Sequence, residues 1–158
     1  QDFTGTGVWC HTEATAYGEG DTRATTVCEM EDLVSNCIRT EPSGEFPFTI
    51  EYNEYGTQMR WLDEQRAVDD EAVLDCSGFP AALSKRQCKV LHFISRIDDI
   101  VIEEQSCTWE GTVQTCEVYD FFEDSTKTVV THYNNQGYAT KTYENNTIST
   151  EIFYTNCD

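Results

Sequence analysis

Eight cysteines divide the chain of 158 residues into two halves with nearly the same spacing. Successive cysteines are separated by 17, 8 and 38 residues in the first half, and by 18, 8 and 40 in the second. The two sets are Cys10, Cys28, Cys37 and Cys76, and then Cys88, Cys107, Cys116 and Cys157. This spacing predicts a tandem duplication. We place the first four-cysteine repeat at 1–76, a linker at 77–87 and the second repeat at 88–158.

A second pair of matching segments supports the duplication. Tyr52 to Gly56 begins 15 residues after the third cysteine of its half, and Tyr133 to Gly137 begins 17 residues after its counterpart. Apolar residues alternate with polar ones just before each segment, which predicts a strand. The glycine then permits a turn with positive φ. Each half is therefore predicted to contain a β-hairpin here.

The whole chain is predicted to be all-β. Each repeat is expected to form a β-meander of about five strands, and the two repeats to form a pseudo-symmetric barrel or sandwich pair. The apolar runs 89–94 and 100–102 are expected to be buried on both faces. Residues 62–75 have helical composition, but their counterpart in the second half favours a strand. We expect strands in both, with a short helix at 64–70 as the alternative.

The cysteine count predicts a secreted protein. Repeats of this size need covalent staples, and eight cysteines without a metal-binding pattern indicate disulfides formed in an oxidising compartment. Gln1 at the start suggests a mature chain from which a signal peptide has been removed. Asn145 begins the sequon Asn-Asn-Thr, which predicts glycosylation. No apolar run reaches the ~18 residues of a membrane span.

The disulfide pairing is narrowed by the duplication. Eight cysteines allow 105 complete pairings. Three patterns survive if each half closes its own bridges in the same way. We favour the pattern in which second and third cysteines clamp a hairpin and first and fourth join the ends of the repeat. The predicted pairs are Cys10–Cys76, Cys28–Cys37, Cys88–Cys157 and Cys107–Cys116.

The net charge of −19 argues against nucleic acid and anionic membranes as partners. Residues 1–80 carry 17 acidic and 4 basic residues, a charge of −13, whereas residues 81–158 carry 12 and 6, a charge of −6. One interpretation is a cationic ligand or protein partner. The other is that the charge keeps the protein soluble.

No catalytic or metal-binding motif is present in the sequence. His11, His92 and His132 occupy unrelated positions in the two repeats, and the chain lacks a Cys-x-x-Cys pair, a nucleophile elbow and a phosphate-binding loop. We therefore predict no cofactor, no metal and no catalytic residue. The many acidic residues leave a carboxylate-pair hydrolase as an alternative.

The three tryptophans do not match between the repeats and are the candidate binding residues. They are Trp9, Trp61 and Trp109. Alignment of the two hairpins places Trp61 opposite Thr142. An aromatic present in one copy suggests a specialised pocket, although core filling is the simpler explanation.

The segment Gly7-Val8-Trp9 resembles the opening Gly-x-Trp motif of the lipocalins. That resemblance implies an eight-stranded up-and-down barrel that carries small apolar or amine ligands. The cysteine-matched halves depart from that family's pattern. A duplicated half-barrel would nevertheless close into a comparable barrel with an interior cavity.

Three functions are compatible with the sequence. The first is a secreted, non-catalytic protein, expected to be a monomer, that holds a small molecule, an amine or a cationic partner, with the ligand between the repeats. The second is an extracellular interaction or inhibitor module that uses its hairpin loops. The third is the hydrolase.

Overall fold

The computed structural model describes residues 11–18, 21–53, 57–76, 88–134 and 138–155. Within these ranges the chain forms twelve strands, and each strand pairs antiparallel with its neighbours in chain order. The last strand also pairs with the first, so the sheet closes into one barrel. The all-β prediction is confirmed, and both predicted repeats contribute to one barrel.

The strands alternate in direction around the barrel. They are β1 His11–Gly18, β2 Asp21–Glu31, β3 Val34–Glu41, β4 Gly44–Tyr52, β5 Gln58–Leu62, β6 Ala67–Asp75, β7 Lys89–Ile97, β8 Ile100–Glu110, β9 Val113–Asp120, β10 Ser125–Tyr133, β11 Ala139–Glu144 and β12 Thr147–Thr155. Each predicted repeat thus holds six described strands rather than about five. Residues 63–66 form a bend between β5 and β6, so the alternative of a helix at 64–70 is wrong.

Alternating burial along the strands separates an inner face from an outer face. In β3, Ser35 and Cys37 are buried while Asn36 and Ile38 are exposed. Directly paired residues of antiparallel strands share a face, so the register carries this assignment from strand to strand around the barrel. The inner face is the one that holds most of the buried residues.

The prediction that 89–94 and 100–102 are buried on both faces is wrong. Leu91 is 38% exposed and Ile100 is 67% exposed. Among the described elements, close backbone contacts join only strands that are neighbours in the sheet. Each strand therefore buries one face alone.

Two predicted disulfides are present and two are corrected. Cys28–Cys37 and Cys107–Cys116 join directly opposed residues of neighbouring strands, as expected for hairpin clamps. Cys76 is bonded to Cys88, so neither Cys10–Cys76 nor Cys88–Cys157 forms. The reason is that Cys76 follows β6 and Cys88 precedes β7, and these two strands pair with each other. Cys10 and Cys157 themselves lie outside the described residues.

The strand directions define two ends of the barrel. The disulfide end carries the turns at 32–33 and 111–112, and all three described disulfides lie at or near it. The rim is the opposite end and carries the turns at 42–43, 63–66, 98–99, 121–124 and 145–146. In the ranges that the structure covers, no helix is long and apolar enough to span a membrane. The predicted linker at 77–87 lies outside them.

Candidate binding site in the barrel lumen

A barrel of twelve strands is too wide for its own side chains to fill. Strands spaced by about 4.8 Å and tilted by about 40° give a round barrel a diameter of roughly 24 Å. Facing sheets fill the space between them at a separation of about 10 Å. Eight strands already make a barrel whose interior side chains can just fill it. This width predicts a lumen inside the inner face rather than a packed core.

Burial of the inward side chains agrees with a lumen. Phe48 pairs with buried Cys37 and therefore points inward, and Trp61 points inward through its pairing with Ile50. Both rings are half-buried, whereas large apolar side chains in a packed core are usually buried.

Aromatic rings line the lumen toward the disulfide end. Trp109 lies 5.0 Å from Tyr133, and Tyr138 lies 5.1 Å from Tyr154, measured between ring centroids. The Trp109 indole N–H donates to the carbonyl of Val90 at 2.8 Å, which fixes the ring against the wall. These contacts place a rigid apolar surface inside this half of the lumen.

The tyrosine hydroxyls are held by specific acceptors. Tyr154 donates to the carbonyl of Ala139 at 2.7 Å, and Tyr133 donates to Oε1 of Gln114 at 3.3 Å. Burial raises the pKa of Tyr133 to about 12. Burial also raises the pKa of Tyr154, and the phenols of Tyr52, Tyr133 and Tyr138 add to this rise.

The buried phenols predict a loss of stability in alkali. Tyr133 ionises near pH 10 when unfolded and near 12 when folded, so both states are neutral below pH 10 and stability is complete there. Above pH 10 the unfolded state releases its proton first, and the free energy of unfolding should fall by roughly 2–3 kcal/mol by pH 12. Urea unfolding from pH 9 to 11.5 should show a shallower decline for Tyr133→Phe. Tyr143→Phe, which alters the outer face, is the matched control and should keep the wild-type slope.

Charged side chains line the lumen toward the rim. Lys127 points inward because it pairs with buried Val118, and its Nζ lies 3.0 Å from Oε1 of Glu144. Partial burial lowers the pKa of Lys127, but the carboxylates of Glu144, Glu103 and Asp120 raise it by more. The net effect is a raised pKa. These carboxylates belong to β8, β9 and β11, which lie on either side of β10 in the sheet.

A buried carboxyl group, that of Asp70 on β6, also belongs to the inner face. Asp70 is 8% exposed and accepts hydrogen bonds from Ser95 Oγ at 2.7 Å and Gln58 Nε2 at 3.1 Å. Burial raises its pKa, although these two hydrogen bonds act in the other direction. The register continues from Ser95 to Glu103 and then to Asp120, so a belt of oxygen-bearing side chains follows the inner wall.

The inward-facing carboxylates outnumber the inward-facing bases. Register assigns Glu41, Asp70, Glu103, Asp120 and Glu144 to the inner face, together with Arg39 and Lys127. Arg39 is paired with Glu41 at 2.5 Å, and Lys127 with Glu144. Three carboxyl groups therefore remain beyond these two ion pairs, and the rim half of the lumen favours a cation.

The predicted site residues occupy different parts of this arrangement. Trp61 and Trp109 both point inward, on β5 and β8, and Trp9 lies outside the described residues. Trp61 and Thr142 do occupy equivalent register positions, opposite Ile50 and Thr131. The charged inward residues were missed from the sequence. The signal was available, since 127 is in phase with 129, 131 and 133.

The three histidines form no common site. His11 contacts the carboxylates of Glu13 and Glu29, whose hydrogen bonds raise its pKa. His92 bonds to Glu104 at 2.8 Å on the outer face. In the part of the chain that the structure describes, no group of three or more His, Cys, Asp or Glu side chains is arranged to hold a metal ion.

One surface depression is also present on the outside of the barrel. It has a volume of about 300 Å³ and is lined by Val130, His132, Tyr143 and Asn146. His132 and Tyr143 stack edge to face across it at 5.5 Å. It is separated from the lumen by the sheet, because Val130 and Tyr143 are paired on the outer face.

No protein-family model, curated protein or solved structure gives a significant match to the chain. The lipocalin resemblance rests on Gly7 to Trp9, which lie outside the described residues. The twelve described strands also exceed the eight that the resemblance implies.

Proposed function

We propose that the protein is a secreted, non-catalytic binding protein that holds a small molecule in the barrel lumen. The observation that carries this proposal is the two-part lining of the inner face, with aromatic rings toward the disulfide end and carboxylates toward the rim. Aromatic rings would contact the apolar part of the ligand, and the carboxylates near the rim would contact a cationic group. A concave, mostly apolar site with a few convergent polar groups is typical of small-molecule binding.

Three further features support a secreted protein with a ligand shared by both halves. The disulfides are typical of extracellular proteins. The sequon residues Asn145 to Thr147 are exposed at a rim turn, where a glycan would not disturb the lumen. The ligand would lie between strands of both halves, which agrees with a site shared by two repeats.

The duplication remains part of the proposal, and the two halves carry matching local geometry. The amide of Thr57 donates to Asn53 Oδ1 at 3.0 Å, and the amide of Tyr138 donates to Asn134 Oδ1 at 3.0 Å. A register shift precedes each of these turns, at Tyr52 and at Tyr133. The hairpin clamps also occupy equivalent strands. These features favour descent of both halves from one six-stranded unit.

The ligand class can be tested with three compounds that share one ring system. Isothermal titration calorimetry should compare tryptamine, 3-methylindole and indole-3-acetate. We expect one molecule of tryptamine per chain, with an affinity at least about tenfold higher than that of indole-3-acetate, because the acid would place a negative charge among carboxylates. Tightest binding of the acid would contradict the cationic preference. Failure of all three to bind would contradict an aromatic site in the lumen.

The alternative of a carboxylate-pair hydrolase has less support. Asp120, one of the inward carboxylates, accepts the backbone N–H groups of Phe122 and Glu123 at 2.8 and 3.0 Å. These bonds commit one of its oxygens to the turn. A general acid or base must instead reach the reacting atoms.

A further inference from the structure

The turn between β9 and β10 differs from its counterpart in the first half. It contains four residues, 121–124, whereas the turn between β3 and β4 contains two, 42–43. This difference explains why Tyr133 follows its third cysteine by 17 residues and Tyr52 by 15. The longer turn, here called the β9–β10 tip, carries Phe121 and Phe122.

Hydrogen bonds hold the β9–β10 tip in one conformation. Asp120 Oδ1 accepts two backbone N–H groups, from Phe122 and Glu123. The amide of Phe121 donates to the carbonyl of Ile102 at 3.0 Å, and the hydroxyl of Tyr119 donates to the carboxylate of Asp124. The phenylalanines are therefore presented by an ordered turn, which lowers the entropic cost of binding.

The tip exposes apolar surface beside acidic groups. Phe122 is 78% exposed and Phe121 is 47% exposed. Phe121 packs edge to face against Tyr119, with the ring centroids 4.7 Å apart, so Phe122 is the more exposed ring of the tip. Four exposed carboxylates lie on this turn and on the rim turn at 98–99, namely Asp98, Asp99, Glu123 and Asp124. Among the described residues, no lysine or arginine forms an ion pair with these four.

We propose that the β9–β10 tip is a docking surface for an extracellular protein or peptide that presents basic and aliphatic side chains together. Phe122 would enter an apolar contact, and the carboxylates of the rim turns would pair with lysine or arginine of the partner. Exposed aromatic residues on ordered turns are typical anchors of interfaces. This surface acts independently of the lumen, since the phenylalanines lie outside it on the rim.

The charge argues against other occupants of this surface. A second copy of the chain would bring two acidic rims together, and each chain already carries a charge of −19. An anionic membrane would repel the same carboxylates. A basic partner is the one whose charge complements the surface.

Fluorescence anisotropy with labelled synthetic peptides of equal length tests the proposal. One peptide alternates lysine and leucine, a second lysine and serine, and a third glutamate and leucine. We expect the lysine–leucine peptide to bind most tightly, and Phe122→Ser to weaken it roughly tenfold or more. Phe153→Ser is the matched control, because Phe153 is 60% exposed on β12 without the acidic turns. It should change the affinity by about twofold at most.

Two further variants separate this surface from general acidity and from the lumen. The double variant Asp98→Asn with Asp99→Asn should reduce the salt dependence, and asparagine tolerates the positive φ of both residues. Thr142→Trp in the lumen should leave peptide binding unchanged. Equal effects of the two phenylalanine variants would overturn the proposal. So would binding to neutral phosphatidylcholine vesicles in place of the peptide, or a dimer in ultracentrifugation that Phe122→Ser disperses.

Discussion

Replacement of Cys76 and Cys88 by alanine together is expected to lower the free energy of unfolding by about 3 kcal/mol, from the loop-closure entropy of a disulfide with this separation. The bond has a sequence separation of 12 and joins the last strand of the first half to the first strand of the second. Its loss should therefore weaken one of the two strand pairings that hold the halves in one barrel, β6–β7, while the other, β1–β12, remains. Urea unfolding followed by circular dichroism measures the change.

The matched control for this variant is the double replacement of Cys107 and Cys116, which have a sequence separation of 9 within the second half. Loop entropy predicts a similar cost for it. The urea unfolding transition of the variant without Cys76–Cys88 should be less cooperative than that of the control. Loss of this bond would allow the two halves to separate before either unfolds. A non-reducing peptide map must show Cys76 joined to Cys88. A map that joins Cys76 to Cys10 would contradict the fold described above.

Thr142→Trp is expected to abolish ligand binding while costing little stability. Thr142 points inward and occupies the position that Trp61 holds in the first half. A large side chain added to a packed interior costs typically 1–3 kcal/mol, whereas one added to a lumen finds open space. We expect less than about 1 kcal/mol of destabilisation and at least a roughly tenfold loss of tryptamine affinity.

An outward substitution of the same size provides the control. Thr25 is exposed on the outer face of β2, so Thr25→Trp should leave both stability and tryptamine binding close to wild type. A large loss of stability in Thr142→Trp alone would show that the interior is packed. Unchanged binding in Thr142→Trp would place the ligand elsewhere, and the outer depression beside Tyr143 would then be the next candidate.

The sequence predicted the parts of the fold that depend on local spacing. Eight residues between Cys28 and Cys37 match the span of a hairpin, and that clamp is present. The error at Cys76 and Cys88 came from treating each half as a closed unit. In a meander, the last strand of one unit pairs with the first strand of the next, and this places their cysteines side by side. Which strand edges meet is a property of the whole sheet, which local periodicity does not contain.

The site was harder to predict than the fold. Lys127 and Glu144 look like ordinary surface residues in the sequence, because charged side chains are rarely turned toward a barrel interior. Their phase with Val129 and Thr142 assigns them to the inner face once the strands are paired. Phe122 shows the opposite error, since a residue expected to be buried is exposed. An apolar residue in a turn suggests burial, yet its hairpin ends at the rim and nothing in the described part of the chain covers it.

Native mass spectrometry of the protein purified from its source, beside Thr142→Trp produced in the same way, tests the lumen most directly. We predict that the wild-type chain carries one small molecule that is released on unfolding, and that the Thr142→Trp chain carries none. Identical native and denatured masses for the wild-type chain, in a preparation that also fails to bind tryptamine, would contradict a ligand-binding lumen.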